Sequence, residues 1–81
     1  MDVVVKVDKE GLAAKGEKIY SIIRKEVEER FRGKVIAIEV GSGDYFIGST
    51  AVEAIEKARA KHPDNIFYLK RIGYKALYSF R

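Results

Sequence analysis

His62 is the only histidine of the chain, and cysteine is absent. Those two counts bound the chemistry. Thiolate metal sites, disulfides and thiol nucleophiles are excluded together, as is any ligand set built from histidine and cysteine. A lone imidazole between Lys61 and Pro63 has no nucleophile pattern and no second ligand near it in sequence. At the end of a helical stretch its cation would favour the helix dipole, so capping rather than catalysis is expected of it. Carboxylates are plentiful, yet Glu26, Glu28 and Glu29 alternate with Arg24, Lys25 and Arg30 on what reads as one solvated helix face, and Glu39 and Asp44 flank a turn. General acid–base work needs two carboxylates in controlled geometry with shifted pKa values, and no such pair is marked out. No catalytic, cofactor-binding or metal-binding residue is assigned.

Two segments have the composition of anion cradles. Gly41-Ser42-Gly43-Asp44-Tyr45-Phe46-Ile47-Gly48 is glycine-rich, but its glycines lead into another strand rather than into a helix, so a hairpin turn is expected. Gly48-Ser49-Thr50 precedes a helix and is the better anion candidate, set against ordinary capping by Thr50 and Glu53.

The remaining chemistry is recognition. The net charge is +4. Residues 66–81 carry all of it, through Lys70, Arg71, Lys75 and Arg81 with no acid among them. Five aromatics share that stretch: Phe67, Tyr68, Tyr74, Tyr78 and Phe80. Cations interleaved with aromatics are what a nucleic-acid surface needs, provided both stand on one face. On an unbroken strand they mostly separate. Ile66, Tyr68, Lys70, Ile72, Tyr74, Ala76, Tyr78 and Phe80 fall on one side, and Arg71, Lys75 and Arg81 on the other. A bulge or turn at Gly73 would invert the parity and bring Tyr74 to the face of Arg71. Arg71, Tyr74, Lys75 and Arg81 are the candidate partner-binding residues.

Elements to hold these residues are legible in the spacing. Val3, Val4, Val5 and Val7 form a β-branched run, followed by a turn at 8–11. Leu12, Ile19, Ile22, Ile23, Val27 and Phe31 recur at helical period over 12–31, interrupted by Gly16 and closed by Gly33. Gly16 either allows close packing or marks the true start of that helix. Lys34–Val40 and Tyr45–Gly48 make a hairpin, with Ile36, Ile38 and Val40 on one side of its first strand and Val35, Ala37 and Glu39 on the other. Thr50 and Glu53 open a second helix that closes at Lys61-His62-Pro63. Ile66–Ile72 is a further strand, continuing to Phe80 or split at Gly73. The order β-α-β-β-α-β predicts an α+β two-layer sandwich, a largely antiparallel sheet with both helices on one face, ferredoxin-like being one such arrangement.

The bulk numbers fit one small domain spanning 1–81. The first ten residues include acids and no cleavable apolar segment, so no signal peptide is expected. With no apolar run of membrane-spanning length and no cysteine, a cytoplasmic protein is the expectation. The 35% charged residues, with no glutamine and a single asparagine, Asn65, resemble thermophilic composition.

Gly33-Lys34-Val35-Ile36-Ala37-Ile38-Glu39, Ser42-Gly43-Asp44-Tyr45, Lys61-His62-Pro63-Asp64 and Arg71-Ile72-Gly73-Tyr74 together resemble a family of short, uncharacterised prokaryotic proteins. The likeness includes Ala-Lys-Gly-Glu-x-Ile-Tyr at the start of the long helix, here Ala14–Tyr20, and runs over about residues 12–80. It implies one domain and brings no catalytic residue or cofactor. The expected function is therefore a non-enzymatic module that binds nucleic acid or an acidic protein through its C-terminal strand. The alternatives are a self-association module, pairing through a strand edge or a face bearing Leu69 and Leu77, and a small ligand-binding protein or enzyme built on the hairpin turn and the Thr50 helix start.

Overall fold

Apolar residues at helical spacing form a long helix, α1 (Leu12–Phe31), in the computed structural model, which describes residues 11–74. The expected Val3–Val7 strand and the continuation beyond Tyr74, with Lys75 and Arg81, lie outside the described residues. Gly16 sits within α1, not at its start. A Cβ there would overlap the Cβ and Cγ of Tyr68, so the glycine is required by close packing. Pairs four apart, Arg24–Glu28, Glu26–Arg30 and Glu28–Arg32, lace the outer side of the helix. Its end is sealed as expected: Gly33 has φ 91° and donates its N–H to Ile72 O at 2.9 Å.

The hairpin follows as β1 (Val35–Ile38) and β2 (Tyr45–Gly48), antiparallel, with Val35 opposite Gly48 and Ile38 opposite Tyr45. Helix α2 (Ala51–Lys61) comes next, then β3 (Tyr68–Arg71), antiparallel to β1 with Val35 opposite Arg71 and Ile38 opposite Tyr68. The three strands lie in the order β2-β1-β3. The α+β class and the antiparallel sheet are those expected.

The placing of the helices differs from expectation. Ile36 and Ile38 pack with Tyr20 and Val27 of α1, whereas Val35 and Ala37 pack with Ala54 and Ala58 of α2. Neighbouring residues of one strand point to opposite faces, so the helices cover opposite faces of the sheet. This departs from a two-layer, ferredoxin-like sandwich with both helices on one side. The physical reason lies in β1. All four of its residues are apolar, and all four are 0% exposed, which one layer of helices cannot achieve. The α2 contact is close because it is built from alanines. A Cβ on Gly48 would stand 2.6 Å from the backbone N of Ala54.

The β1–β2 turn is organised by Glu39, which is only 7% exposed. Its carboxylate accepts from Gly41 N at 3.1 Å and Ser42 N at 2.8 Å. The bond from the Ser42 side chain, helped by the two amides and by Asn65, holds its carboxyl below the ordinary glutamate range despite burial.

Two outcomes follow from this packing. An exposed mid-helix glycine changed to alanine stabilises a protein by about 1 kcal/mol; G16A is expected to do the reverse and cost about 1–3 kcal/mol, because the methyl must displace Tyr68. Urea unfolding reads the sign directly. For Glu39 the folded pKa is depressed, so its contribution is complete above the ordinary glutamate value of about 4.3 and is lost as pH falls through the folded value. E39Q should cost about 1–2 kcal/mol at neutral pH and shrink the loss of stability on acidification, measured by thermal melts from neutral to acid pH.

Candidate functional site

The glycine-rich turn and the helix start are both occupied by the protein's own groups. Glu39 takes the Gly41 and Ser42 amides, which leaves a carboxylate where an anion would have to sit. At the α2 start, the Thr50 hydroxyl accepts from Glu53 N at 3.1 Å. The Glu53 carboxylate returns not to Thr50 but one residue earlier, to Ser49 N at 2.7 Å. That bond, with Lys57 nearby, keeps Glu53 ionised below its usual pKa. Both segments are structural: a hairpin turn and a capping box shifted by one residue.

His62 caps α2, its N–H donating to Ala58 O at 2.8 Å. Its ring does a second job that the spacing does not reveal. Nε2 lies 2.9 Å from Asp44 Oδ2, Lys61 Nζ lies 3.3 Å from the same oxygen, and the ring meets Phe46 edge-on at 6.1 Å. The His62 bond, then that of Lys61, holds Asp44 below the ordinary aspartate range. The cluster ties the C-terminal end of α2 to the β1–β2 turn. Among the described residues no group of three or more His, Asp or Glu side chains is placed to hold a metal ion.

The C-terminal candidates divide. Arg71 is half-buried and its Nη1 donates to Gly33 O at 2.8 Å, bracing the end of α1. Lys70, though charged, is 8% exposed. Its ammonium lies 3.4 Å from Glu17 Oε2 and 4.9 Å from the centre of the Tyr20 ring. The Tyr68 hydroxyl donates to that same Glu17 oxygen. Two of the four cations of the tail are thus engaged internally.

Gly73 turns the chain. Its φ is 89°, and Tyr74 N donates to Arg71 O at 3.0 Å, closing a four-residue turn that needs positive φ at its third position. Strand β3 ends before it, at Arg71. The turn does not bring Tyr74 to the side of Arg71. Tyr74, 58% exposed, lines a cleft of ≈ 510 Å³ with Lys70 and, from α1, Glu17, Tyr20, Ser21, Arg24 and Glu28. The Tyr20 hydroxyl links the two walls: it accepts from Gly73 N at 3.2 Å and donates to Glu28 Oε2 at 2.7 Å. Burial, then the Glu28 bond, raises the Tyr20 pKa; the same bond, helped by Arg24 and Arg32, lowers that of Glu28.

Three lysines outside the C-terminal candidates stand on the outer side of α1. Lys15, Lys18 and Lys25 are exposed and make no ion pair among the described residues. They fall with the 76%-exposed Ile22 at i, i+3, i+7 and i+10, which is one stripe of α1, next to Ser21. Their spacing is visible in the sequence, superimposed on the apolar period of the same helix. The stripe becomes acidic beyond Lys25, at Glu26 and Glu29. Through Ser21, which lies in the cleft and is i+3 from Lys18 and i−4 from Lys25, the cleft with its exposed aromatic and guanidinium adjoins two of these lysines, while Lys15 lies further round the helix from Arg24.

Comparison with protein-family models, with curated proteins and with solved structures finds no match to this chain. The site must be read from its own geometry.

The Tyr20 link yields a direct test. Y20F removes both bonds of the hydroxyl while keeping the ring beneath Lys70. It is expected to cost about 1–1.5 kcal/mol and to accelerate amide hydrogen exchange at Gly73 more than at the β1 amides, as read by NMR.

Proposed function

We propose that this chain is a non-enzymatic binding module for nucleic acid, single-stranded for preference, which it takes along the α1 side of the sheet. The observation that supports the reading is a continuous surface: Tyr74 and Arg24 line the cleft with Ser21, and Lys18 and Lys25, with no ion pair among the described residues, flank Ser21 on α1. Ammonium groups that make no ion pair among the described residues can replace the counterions of a phosphate backbone. An exposed tyrosine ring offers a platform to an unstacked base, which duplex bases do not need. Arg71 is reassigned to bracing α1, since its guanidinium is engaged by Gly33 O. Lys75 and Arg81 remain as proposed contacts from outside the described residues. On the β2 side Lys57 Nζ donates to the Ile47 carbonyl at 2.8 Å, taking up a backbone acceptor that strand-to-strand association would use.

Among the described residues no helix is long and apolar enough to cross a membrane. A cytoplasmic partner pool is part of the proposal.

Anisotropy of labelled single- and double-stranded oligonucleotides, at about 50 and 200 mM salt, tests it. Three phosphate contacts, from Lys18, Lys25 and Arg24, predict a slope of log K against log salt of about −2 on single strands. K18E/K25E should abolish binding and Y74A weaken single-strand binding by roughly tenfold, equivalent to one stacked base. R71A should leave affinity unchanged while lowering the melting temperature. Absence of binding at low salt, binding indifferent to salt, or binding only to an acidic polypeptide such as polyglutamate would each overturn the reading. A dimeric mass in light scattering with no nucleic-acid binding would replace it with self-association.

A further inference from the structure

The cleft behind Tyr74 has a composition that the phosphate-binding reading does not explain. It is lined by two carboxylates, Glu17 and Glu28, beside the cations Lys70 and Arg24. Carboxylates repel phosphates, so a surface that attracts a polyanion should not place them in its cleft unless something other than a phosphate enters. Glu28 is used up: Oε2 takes Tyr20 and Arg24, and Oε1 faces Arg32 at 3.6 Å. Glu17 is not. Lys70 and Tyr68 both approach its Oε2, and no contact of Oε1 is made among the described residues. The side chain is 47% exposed. The cleft thus offers one open carboxylate oxygen, held in place by two partners through its twin, close to an exposed aromatic ring. Its ≈ 510 Å³ lies in the range of small-ligand sites, roughly 300–1,000 Å³.

Resting on the single-strand reading above, the geometry points to a nucleobase subsite, with guanine as the base it takes. The base stacks on Tyr74 and turns its Watson–Crick edge to Glu17 Oε1. Guanine presents two adjacent donors on that edge, its N1–H and its exocyclic amino group. Adenine and cytosine place an acceptor nitrogen beside their amino group, and uracil places carbonyls on both sides of its single N–H. Each of these sets an acceptor against the carboxylate, which penalises it. Arg24, two-thirds exposed at the mouth, is placed for the phosphate that follows the seated base.

The test compares a uridine tract of about eight nucleotides with the same tract carrying one central guanine, a design that cannot form guanine quartets. The guanine should raise affinity about fivefold, its two donors sharing the single open oxygen Oε1 rather than each taking one. E17Q should reduce that preference to about twofold, read as the ratio of the two tract affinities within the variant. Because Glu17 also holds Lys70, its melting curve is recorded alongside, and a second measurement uses the unaltered protein. Titration with guanosine monophosphate should shift the amide resonances of Ser21, Gly73 and Tyr74, and uridine monophosphate should not. Equal affinity for the two tracts with no selective shift overturns the guanine subsite and leaves the nucleic-acid reading standing. A tract preference for adenine in its place also overturns it. Failure to bind either tract removes the reading on which the subsite rests.

Discussion

Strand β1 is covered on both faces and paired on both edges, and the rest of the fold is arranged around that requirement. Val35, Ile36, Ala37 and Ile38 give up all solvent exposure. In so short a chain, burying a strand completely needs a helix on each side and a strand at each edge. The two faces are met differently. Ile36 and Ile38 face the large residues of α1, Tyr20 and Val27, while Val35 and Ala37 face the alanines of α2. The α2 helix can therefore approach until its backbone meets Gly48, and α1 stands further off on bulkier side chains, with Gly16 admitting Tyr68.

The cleft chemistry follows from this pairing. β3 lies beside β1 in a register that sets Lys70 opposite Ile36. Tyr68, Lys70 and Ile72 must then share the α1 face, and a lysine enters a layer of apolar residues. An isolated buried ammonium would be strongly disfavoured. Its stem lies along the layer while its head reaches the Tyr20 ring and Glu17 at the margin. That fixes Glu17 by one oxygen, and the Tyr20 hydroxyl in turn receives the Gly73 amide. The feature proposed as a site is thus a consequence of placing one charged residue in a packed strand, with the exposed side of each partner left available.

Helix limits, the hairpin, the Thr50 cap and the turn at Gly33 were legible because each depends on residues close in sequence. The layering was harder, though the signal was present: Val35-Ile36-Ala37-Ile38 is apolar at both parities, the mark of a strand buried on both faces. The order of elements, by contrast, does not determine the face each helix takes. Glu53 returning to Ser49 rather than Thr50 is a shift of one residue that propensity cannot resolve. The site was less legible still. Lys70 and Glu17, or Asp44 and His62, are pairs made only by folding, and nothing in their local spacing announces them.

Charge counted along the chain therefore gives a different surface from charge distributed in space. By segment, the positive end is residues 66–81, and Arg71 and Lys70 belong to it. In the fold, Lys70 is set against Glu17 and Arg71 is turned onto a helix-end carbonyl, so neither contributes a free cation. Meanwhile Lys15, Lys18 and Lys25 belong to a segment whose charges sum to zero, yet stand unpaired, because the acids near them are engaged with Arg30, Arg24, Arg32 and Lys70 or lie further along the helix. A field depends on which charges remain uncompensated at the surface, not on the segment that supplies the excess. Tyr74 connects the two accounts. The Gly73 turn sets it against α1, so the one exposed aromatic of the C-terminal candidates that is described shares a cleft with Arg24 and Ser21 of the first helix, next to Lys18 and Lys25, rather than with the arginine three residues before it.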